Sequence, residues 1–371
     1  MFDLANDRLS YSELLRPNAG YTLDFAVGMT YSLDLEALLG VPVSLGLLDD
    51  VDEAKMKNPL YVLEAIRKSA DRIVLFCNAG RIKLPDRIQS VYSLLENSVF
   101  QVKLSRFSNF HPKIWVLKYS QDGCPAYIKL LVMSRNLTFD SSIDIAVSLK
   151  GIIGTEECEK NRPLSEFLRY TANFAGSGKR TQVLSMAEDV LKVGAFEVSP
   201  PFDDYDFYPI GIPGHSEEQL PLFGQKSSLF AVSPFLDDKT IQQMTAFRGE
   251  RCLVTRKSSV TPAVKEAFGH VYVTKDVLND NEYNVKQDIH AKIYFTTTKE
   301  ANYLYLGSAN ATESAFSKNV ECLLRLRYML HKIGYSKFIA DFIPAVNCPY
   351  EELTVVPCAE QEGKRKKLIL P

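Results

Sequence analysis

The sequence predicts an α/β protein made of two duplicated halves. Each half is a mixed β-sheet flanked by helices, and a pseudo-two-fold relation puts a candidate site at the seam. Three observations carry this. Apolar strand-like runs alternate with helically spaced segments between residues 20 and 150, and the same rhythm returns from 229. The strand-like runs are apolar on both faces, as in a sheet covered on both sides. One pattern, His-x-Lys followed by Ser-x-Asn, occurs once in each half: His111, Lys113 and Asn136 in FHPKIWVL and MSRNLT, then His290, Lys292 and Asn310 in IHAKIYF and GSANAT.

Residues 1–20 read as a surface lead-in. FAVGMTYS (25–32) reads as a buried strand, and LDLEALLGV after it as a helix that Ser32 or Asp34 would cap. Asn58-Pro59 is a cap followed by a first helical position for LYVLEAIRKSA. RIVLFC (72–77) and VFQVKL (99–104) read as strands around a helical PDRIQSVYSLLEN (85–97). HPKIWVLKY (111–119), YIKLLVMS (127–134) and IDIAVSL (143–149) read as the strands that close the first half. The second half repeats the order. SLFAVSPF, RCLVTR, HVYVTK, HAKIYFTT, NYLYLGS and VECLLRLRYM read as strands, with DDKTIQQMTAF and TPAVKEAFG as helices and HKIGYSKFIADFIPA as a closing helix.

The predicted divisions are 1–150 for the first half and 151–228 for a helical insertion and linker. Residues 229–345 form the second half and 346–371 a tail ending KRKKLILP. SEFLRYTANF and TQVLSMAEDVLKV are the insertion's helices. SPPFDDYDFYPIGIPGHSEEQLPLFGQK, rich in Pro, Gly and acids, is read as a linker or flap, whose DDYD would cover an anion pocket by mimicry. AGSGKRT does not make a phosphate loop, because Asn173 stands in place of the first glycine and Arg180 in place of Ser or Thr.

Bulk properties narrow the function classes. The apolar fraction of 46% supports a sizeable core. A formal charge of −2 excludes a uniformly basic nucleic-acid binder but not a local basic groove. The seven cysteines are scattered without a C-x-x-C, so neither a zinc site nor a disulfide framework is indicated. No basic region followed by an apolar one opens the chain, and no apolar run approaches the ~20 residues of a membrane span. A cytoplasmic protein without membrane contact is expected.

The repeated motif has a chemical logic. Residues i and i+2 of a strand share a face, so each histidine should point with its lysine. An ionised lysine on an apolar strand is costly without a partner, and a shared anion is the natural remedy for two of them. Two lysines and two asparagine amides would hold a phosphate and spread its transition-state charge. One imidazole can then attack phosphorus while the other protonates the leaving oxygen. Each histidine needs an orienting partner, and the closing strands offer Asp144 and Glu321 at matching places in the repeat. Ser134 and Ser308 accompany the asparagines. No carboxylate cluster is present to bind a metal, so neither a metal nor a cofactor is expected. His215, His270 and His331 fit no repeat and read as structural or exposed.

On these motifs the sequence resembles the phospholipase D superfamily of phosphodiesterases. GSAN at 307–310 matches that family's segment well, and MSRN at 133–136 matches less fully. Lys118 and Thr297 stand where the family's motif aspartates would be, a His-Lys-Asn pattern that looks like the tyrosyl-DNA phosphodiesterase branch and nuclease-like relatives. The resemblance implies His111 as nucleophile and His290 as general acid/base, a pair that pseudo-symmetry can reverse. It implies a metal-independent nuclease acting on nucleic acid, with DNA favoured. Similar two-motif proteins occur in bacterial anti-phage and restriction modules with an ATPase or helicase partner, so such a partner is expected. Arg106, with Arg81, Lys83, Lys103 and Lys118, would track the backbone, while Trp115 or Tyr119 would stack on bases or else pack beside the site. The competing readings are a phospholipid phosphodiesterase or transphosphatidylase, which needs a membrane-docking surface not seen here, and a non-catalytic nucleic-acid scaffold.

Overall fold

The computed structural model describes residues 11–45, 59–85, 90–139, 142–275, 288–329, 331–346 and 348–354. The basic tail and Asn58, the expected cap of the helix Pro59–Ser69, lie outside them.

The first half is a six-stranded sheet. Its strands are β1 (Thr22–Thr30), β3 (Ile73–Asn78), β5 (Val99–Val102), β6 (Ile114–Gln121), β7 (Cys124–Met133) and β8 (Ala146–Ile152), in the order β5-β3-β1-β6-β7-β8. A small two-stranded ladder joins β2 (Leu33–Asp34) to β4 (Ile82–Lys83). β1, β3 and β5 run parallel, while β6, β7 and β8 form an antiparallel meander beside β1.

The second half repeats that order with β10 (Ser228–Val232), β11 (Glu250–Thr255), β12 (His270–Thr274), β13 (Ile293–Thr297), β14 (Ala301–Gly307) and β15 (Glu321–Met329). Two added strands cover its edges. β9 (Asp204–Ile210) pairs with β15, and β16 (Tyr350–Glu352) pairs with β12. The helical starts correspond as well. Asp34 accepts from the Glu36 amide before the helix Leu35–Ser44, and Asp237 accepts from the Thr240 amide before the helix Asp238–Met244. These carboxylates satisfy amides that have no intrahelical partner.

Alternation along the strands splits the core into three clusters. The largest joins the inner faces of both sheets: Val27, Ile114 and Val116 from one, Phe230, Ile293 and Phe295 from the other. Trp115, Leu117 and Tyr119 point instead to the outer face of the first sheet, and Leu229, Leu253 and Tyr294 to that of the second. Each fully buried side chain of this size contributes about 1.5–3 kcal/mol, so the two inner faces together fix how the halves meet.

The segment 151–228 departs from its expected role. Its helices, Arg162–Ala172 and Ser177–Leu191, bury Leu164, Phe167, Val183 and Met186 in the shared core. The stretch read as a linker contains β9, and its acids are occupied on the sheet. Asp206 holds Arg325 at 2.6 Å, and Asp203 holds Arg327 at 3.2 Å. Asp204 pairs with Lys160. DDYD is therefore a strand with ion-paired side chains, not a flap over an anion pocket. The alternation Tyr205, Phe207 (buried) against Asp204, Asp206 is a strand signal that the surrounding prolines and glycines mask.

Candidate active site at the seam

His111 and Lys113 lie in an irregular stretch between an isolated bridge at Phe110 and the start of β6, not within the strand as expected. The register therefore does not carry Lys113's direction on to Trp115. Lys113 turns back, placing Nζ 3.1 Å from His111 Nε2 and 2.9 Å from the His111 carbonyl. Lys292 likewise donates to the His290 carbonyl at 2.5 Å. Both lysines are buried, at 1% and 0% exposure.

Two backbone bridges cross the seam and are each other's repeat. The His111 amide donates to Val320 O at 2.9 Å, and the Val320 amide to Asn109 O at 2.9 Å. The His290 amide donates to Ile143 O at 3.0 Å, and the Ile143 amide to Asp288 O at 2.9 Å. The residue after each bridge is a carboxylate, so each half delivers its carboxylate to the other half's histidine. His111 Nδ1 lies 2.8 Å from Glu321 Oε2, and His290 Nδ1 lies 2.9 Å from Asp144 Oδ1. A carboxylate at Nδ1 fixes the proton there and leaves Nε2 with its lone pair.

The serines of Ser-x-Asn anchor these carboxylate strands. Ser134 Oγ donates to Asp144 Oδ1 at 2.6 Å and accepts from the Ile145 amide at 3.0 Å. Ser308 Oγ accepts from the Cys322 amide at 3.1 Å, next to Glu321. Beside the asparagines, Thr30 Oγ1 accepts from the Leu137 amide and Ser233 Oγ from the Ala311 amide, at 3.0 and 2.9 Å. Among the described residues, the side-chain oxygens of Asn136 and Asn310 and Asp144 Oδ2 are buried without a hydrogen-bond partner. Such atoms are costly unless a ligand or solvent meets them.

Electrostatics follow from burial. Burial pushes the His111 imidazole down to about 4, against the opposing pull of Glu321. It also lowers His290, where the hydrogen bond that His290 donates to Asp144 opposes it. Lys113 is pushed down to about 8 by burial, and Lys292 well below its ordinary range by burial and by the Lys113 charge. Burial thus disfavours the charged form of both imidazoles and both lysines, with Glu321 and Asp144 opposing it, and a bound anion would favour the charged lysines further.

Other expected residues sit elsewhere. Trp115 is 1% exposed in the outer core, where Nε1 donates to Tyr11 Oη at 2.5 Å, so it does not reach substrate. Gly28 makes room for it, since a Cβ there would lie 2.7 Å from the indole. Tyr119 is buried and donates to Leu15 O. Lys118 is held by Asp189 at 2.7 Å and Thr297 by Asn302 at 2.7 Å, so neither occupies an aspartate's place at the site. Arg106 is exposed on the turn that precedes His111. His215 pairs with Glu166 and His270 with Glu352, outside the cluster.

Four residues at the site were not singled out from sequence for it. Asn319 Nδ2 donates to Glu321 Oε1 at 3.2 Å, and its Oδ1 accepts from the Asn109 amide at 3.0 Å. The Tyr31 ring lies 4.8 Å from the His111 ring. Asn78 Oδ1 accepts from the Phe110 amide at 2.8 Å, and its repeat counterpart Arg256 donates to Ile289 O at 3.2 Å. Each of these last two tethers the residue before a histidine. Their shared place, at the end of the strand beside the central one, was the available sequence signal.

No family model matches the chain, and no curated protein sequence matches it significantly. Among solved structures, a mutant of the yeast tyrosyl-DNA phosphodiesterase superposes with a TM-score of 0.53 at 10% identity, covering 85% of this chain and 84% of that one. Another structure of the yeast enzyme gives 0.50 at 12% identity, covering 84% and 85%. A phosphatidylserine synthase from Haemophilus influenzae Rd KW20 covers 92% of this chain and 84% of its own, with a TM-score of 0.49 at 11% identity. The architecture is thus the duplicated phospholipase D-like fold expected from the repeat.

Proposed function

We propose that this chain is a metal-independent phosphodiesterase that cleaves nucleic acid, DNA foremost, through a phosphohistidine intermediate. The observation that carries this is the reciprocal pairing of His111 with Glu321 and His290 with Asp144, around two buried lysines. Two histidines with fixed tautomers, facing two cations, suit in-line displacement at phosphorus. The lysines supply the charge that a divalent cation supplies in other phosphoryl-transfer sites.

His111 Nε2 attacks phosphorus, and a P–N bond forms as the P–O bond to the leaving group breaks. His290, protonated beside the bound phosphate, gives its proton to the leaving oxygen. Water then attacks phosphorus as His290 takes its proton back. The P–N bond breaks and its electron pair returns to His111. Burial lowers both imidazoles, so either can be the neutral nucleophile, and the resemblance to the tyrosyl-DNA phosphodiesterase branch assigns that role to His111. The asparagine side chains and the lysines hold the non-bridging oxygens. The shared fold of the yeast tyrosyl-DNA phosphodiesterase supports nucleic acid as substrate. With no phosphate loop in AGSGKRT, strand opening would fall to a separate ATPase or helicase, the setting of a bacterial defence nuclease.

The test is cleavage of labelled single- and double-stranded DNA and RNA in excess EDTA, beside His111→Ala and His290→Ala. EDTA-resistant cutting lost in both variants is expected. Full activity in either variant would remove the assignment, and turnover of phospholipid with nucleic acid untouched would replace it with a lipid phosphodiesterase.

A further inference from the structure

The exposed phenylalanines among the described residues are Phe107, Phe139 and Phe235, at 76%, 69% and 47% exposure. All three lie on segments that carry the site. Phe107 sits at the tip of the turn before His111, closed by the Ser108 amide on Ser105 O at 3.1 Å and by their two hydroxyls at 2.7 Å. Phe139 follows Asn136 on the loop that Arg135 ties through Thr138 O. Phe235 follows Ser233, whose hydroxyl holds the backbone next to Asn310. Exposed aromatic rings on the segments that carry a site are placed to meet its ligand.

Guanidinium groups accompany two of these rings and that of Tyr31. Arg106 lies 5.8 Å from the centroid of Phe107, Arg256 4.7 Å from Phe235, and Arg81 5.2 Å from Tyr31. Asp288 takes part of the Arg256 charge at 2.8 Å. The groups divide between the two half-sites. Tyr31 contacts the His111 ring, and Phe107 precedes that histidine. Arg256 donates to the carbonyl before His290, and Arg135 lies 3.8 Å from Asp144, the carboxylate of His290. Phe235 therefore belongs to the His290 side, while the Phe139 loop is tied at Leu137 to Thr30, next to Tyr31, and by Arg135 towards Asp144. Aromatic faces interleaved with cations suit unpaired bases on a phosphate backbone.

We propose that Phe107 on one side of the seam and Phe235 on the other, with Phe139 on the loop after Asn136, stack on bases flanking the scissile phosphate, so that the site takes an unpaired polynucleotide strand at an internal linkage. This deepens the phosphodiesterase reading and rests on it for the chemistry. Rings on both sides hold nucleotides both before and after the cut. A site for strand ends needs them on one side only.

The probes are a fluorescent oligothymidylate, its duplex with oligoadenylate, and a covalently closed single-stranded DNA circle. Binding is read by anisotropy. Each Phe→Ala change is expected to weaken oligothymidylate binding about tenfold, each Phe→Tyr change to keep it, and the duplex to bind more weakly. Equal affinity in all three alanine variants, or a duplex bound as tightly, overturns the proposal. Linearisation of the circle is the expected product, and trimming of linear ends with the circle intact overturns internal cutting. Hydrolysis of bis(p-nitrophenyl) phosphate separates the two failures. If that ester is cut but the circle is neither bound nor cut, this inference fails alone. If that ester is not cut, the phosphodiesterase reading fails, and the anisotropy still decides the stacking.

Discussion

His111 Nδ1 meets Glu321 Oε2 at 2.8 Å across the seam, and each of the two residues comes from a different half of the duplication. The reciprocal contact joins His290 to Asp144 at 2.9 Å. Each histidine takes its carboxylate from the other half, so the proposed site needs both halves.

Removing one carboxylate should therefore disable the other half's histidine. Glu321→Gln is expected to lower kcat on bis(p-nitrophenyl) phosphate about 100-fold. Combining it with His111→Ala should add almost nothing, because the two residues act as one group. Multiplicative losses in the double variant would show that Glu321 does not act through His111.

Asn319 is a positioning residue in the same chain of contacts. It gives its amide to Glu321 Oε1 and takes the Asn109 amide just before His111. Asn319→Ala leaves Glu321 with one donor fewer, so its charge falls more fully on His111. The acid limb of the kcat/KM profile is expected to move to higher pH while kcat falls about tenfold. A fall in activity with the profile unmoved would mean that Asn319 only supports the fold.

The buried lysines should cost stability that an anion recovers. Burial holds Lys113 at about 8, below its ordinary 10.5. Between those values the unfolded chain keeps a proton that the native chain has lost, so stability rises with pH through that window. Below it both states are protonated and the native cost is fully present. At pH 7, Lys113→Met is expected to raise Tm by about 2 °C or more while abolishing turnover. Inorganic phosphate should raise Tm of the unaltered protein and not of this variant. A lower Tm in Lys113→Met would show that the ammonium is already compensated by Glu321.

The pH profile has an acid side with the same sign. Burial holds His111 at about 4 against an ordinary 6.5. Between these values the unfolded chain binds the extra proton, so stability falls as pH falls. Tm measured from pH 7 to 4 should decline, and less steeply in His111→Ala. Parallel declines would place the acid sensitivity in other groups.

The sequence by itself determined the strand rhythm and the two sets of His, Lys and Asn, and it left the first helix's cap between Ser32 and Asp34, which the structure settles on Asp34. The rhythm and the two sets depend on local periodicity and on a motif written twice. It also supplied Asp144 and Glu321 as candidates, but not which histidine each would serve. That choice belongs to the crossing bridges at Phe110–Val320 and Ile143–Ile289, which join residues far apart in the chain. Tertiary structure also sent Trp115 to the outer core, because the chain enters β6 from an irregular stretch that resets the alternation. It turned DYDFYPI into an edge strand, because β15 offered an unpaired edge and arginines for the aspartates. Local pattern fixes what each segment can be. Partner edges, buried charge and register across the seam decide what it touches.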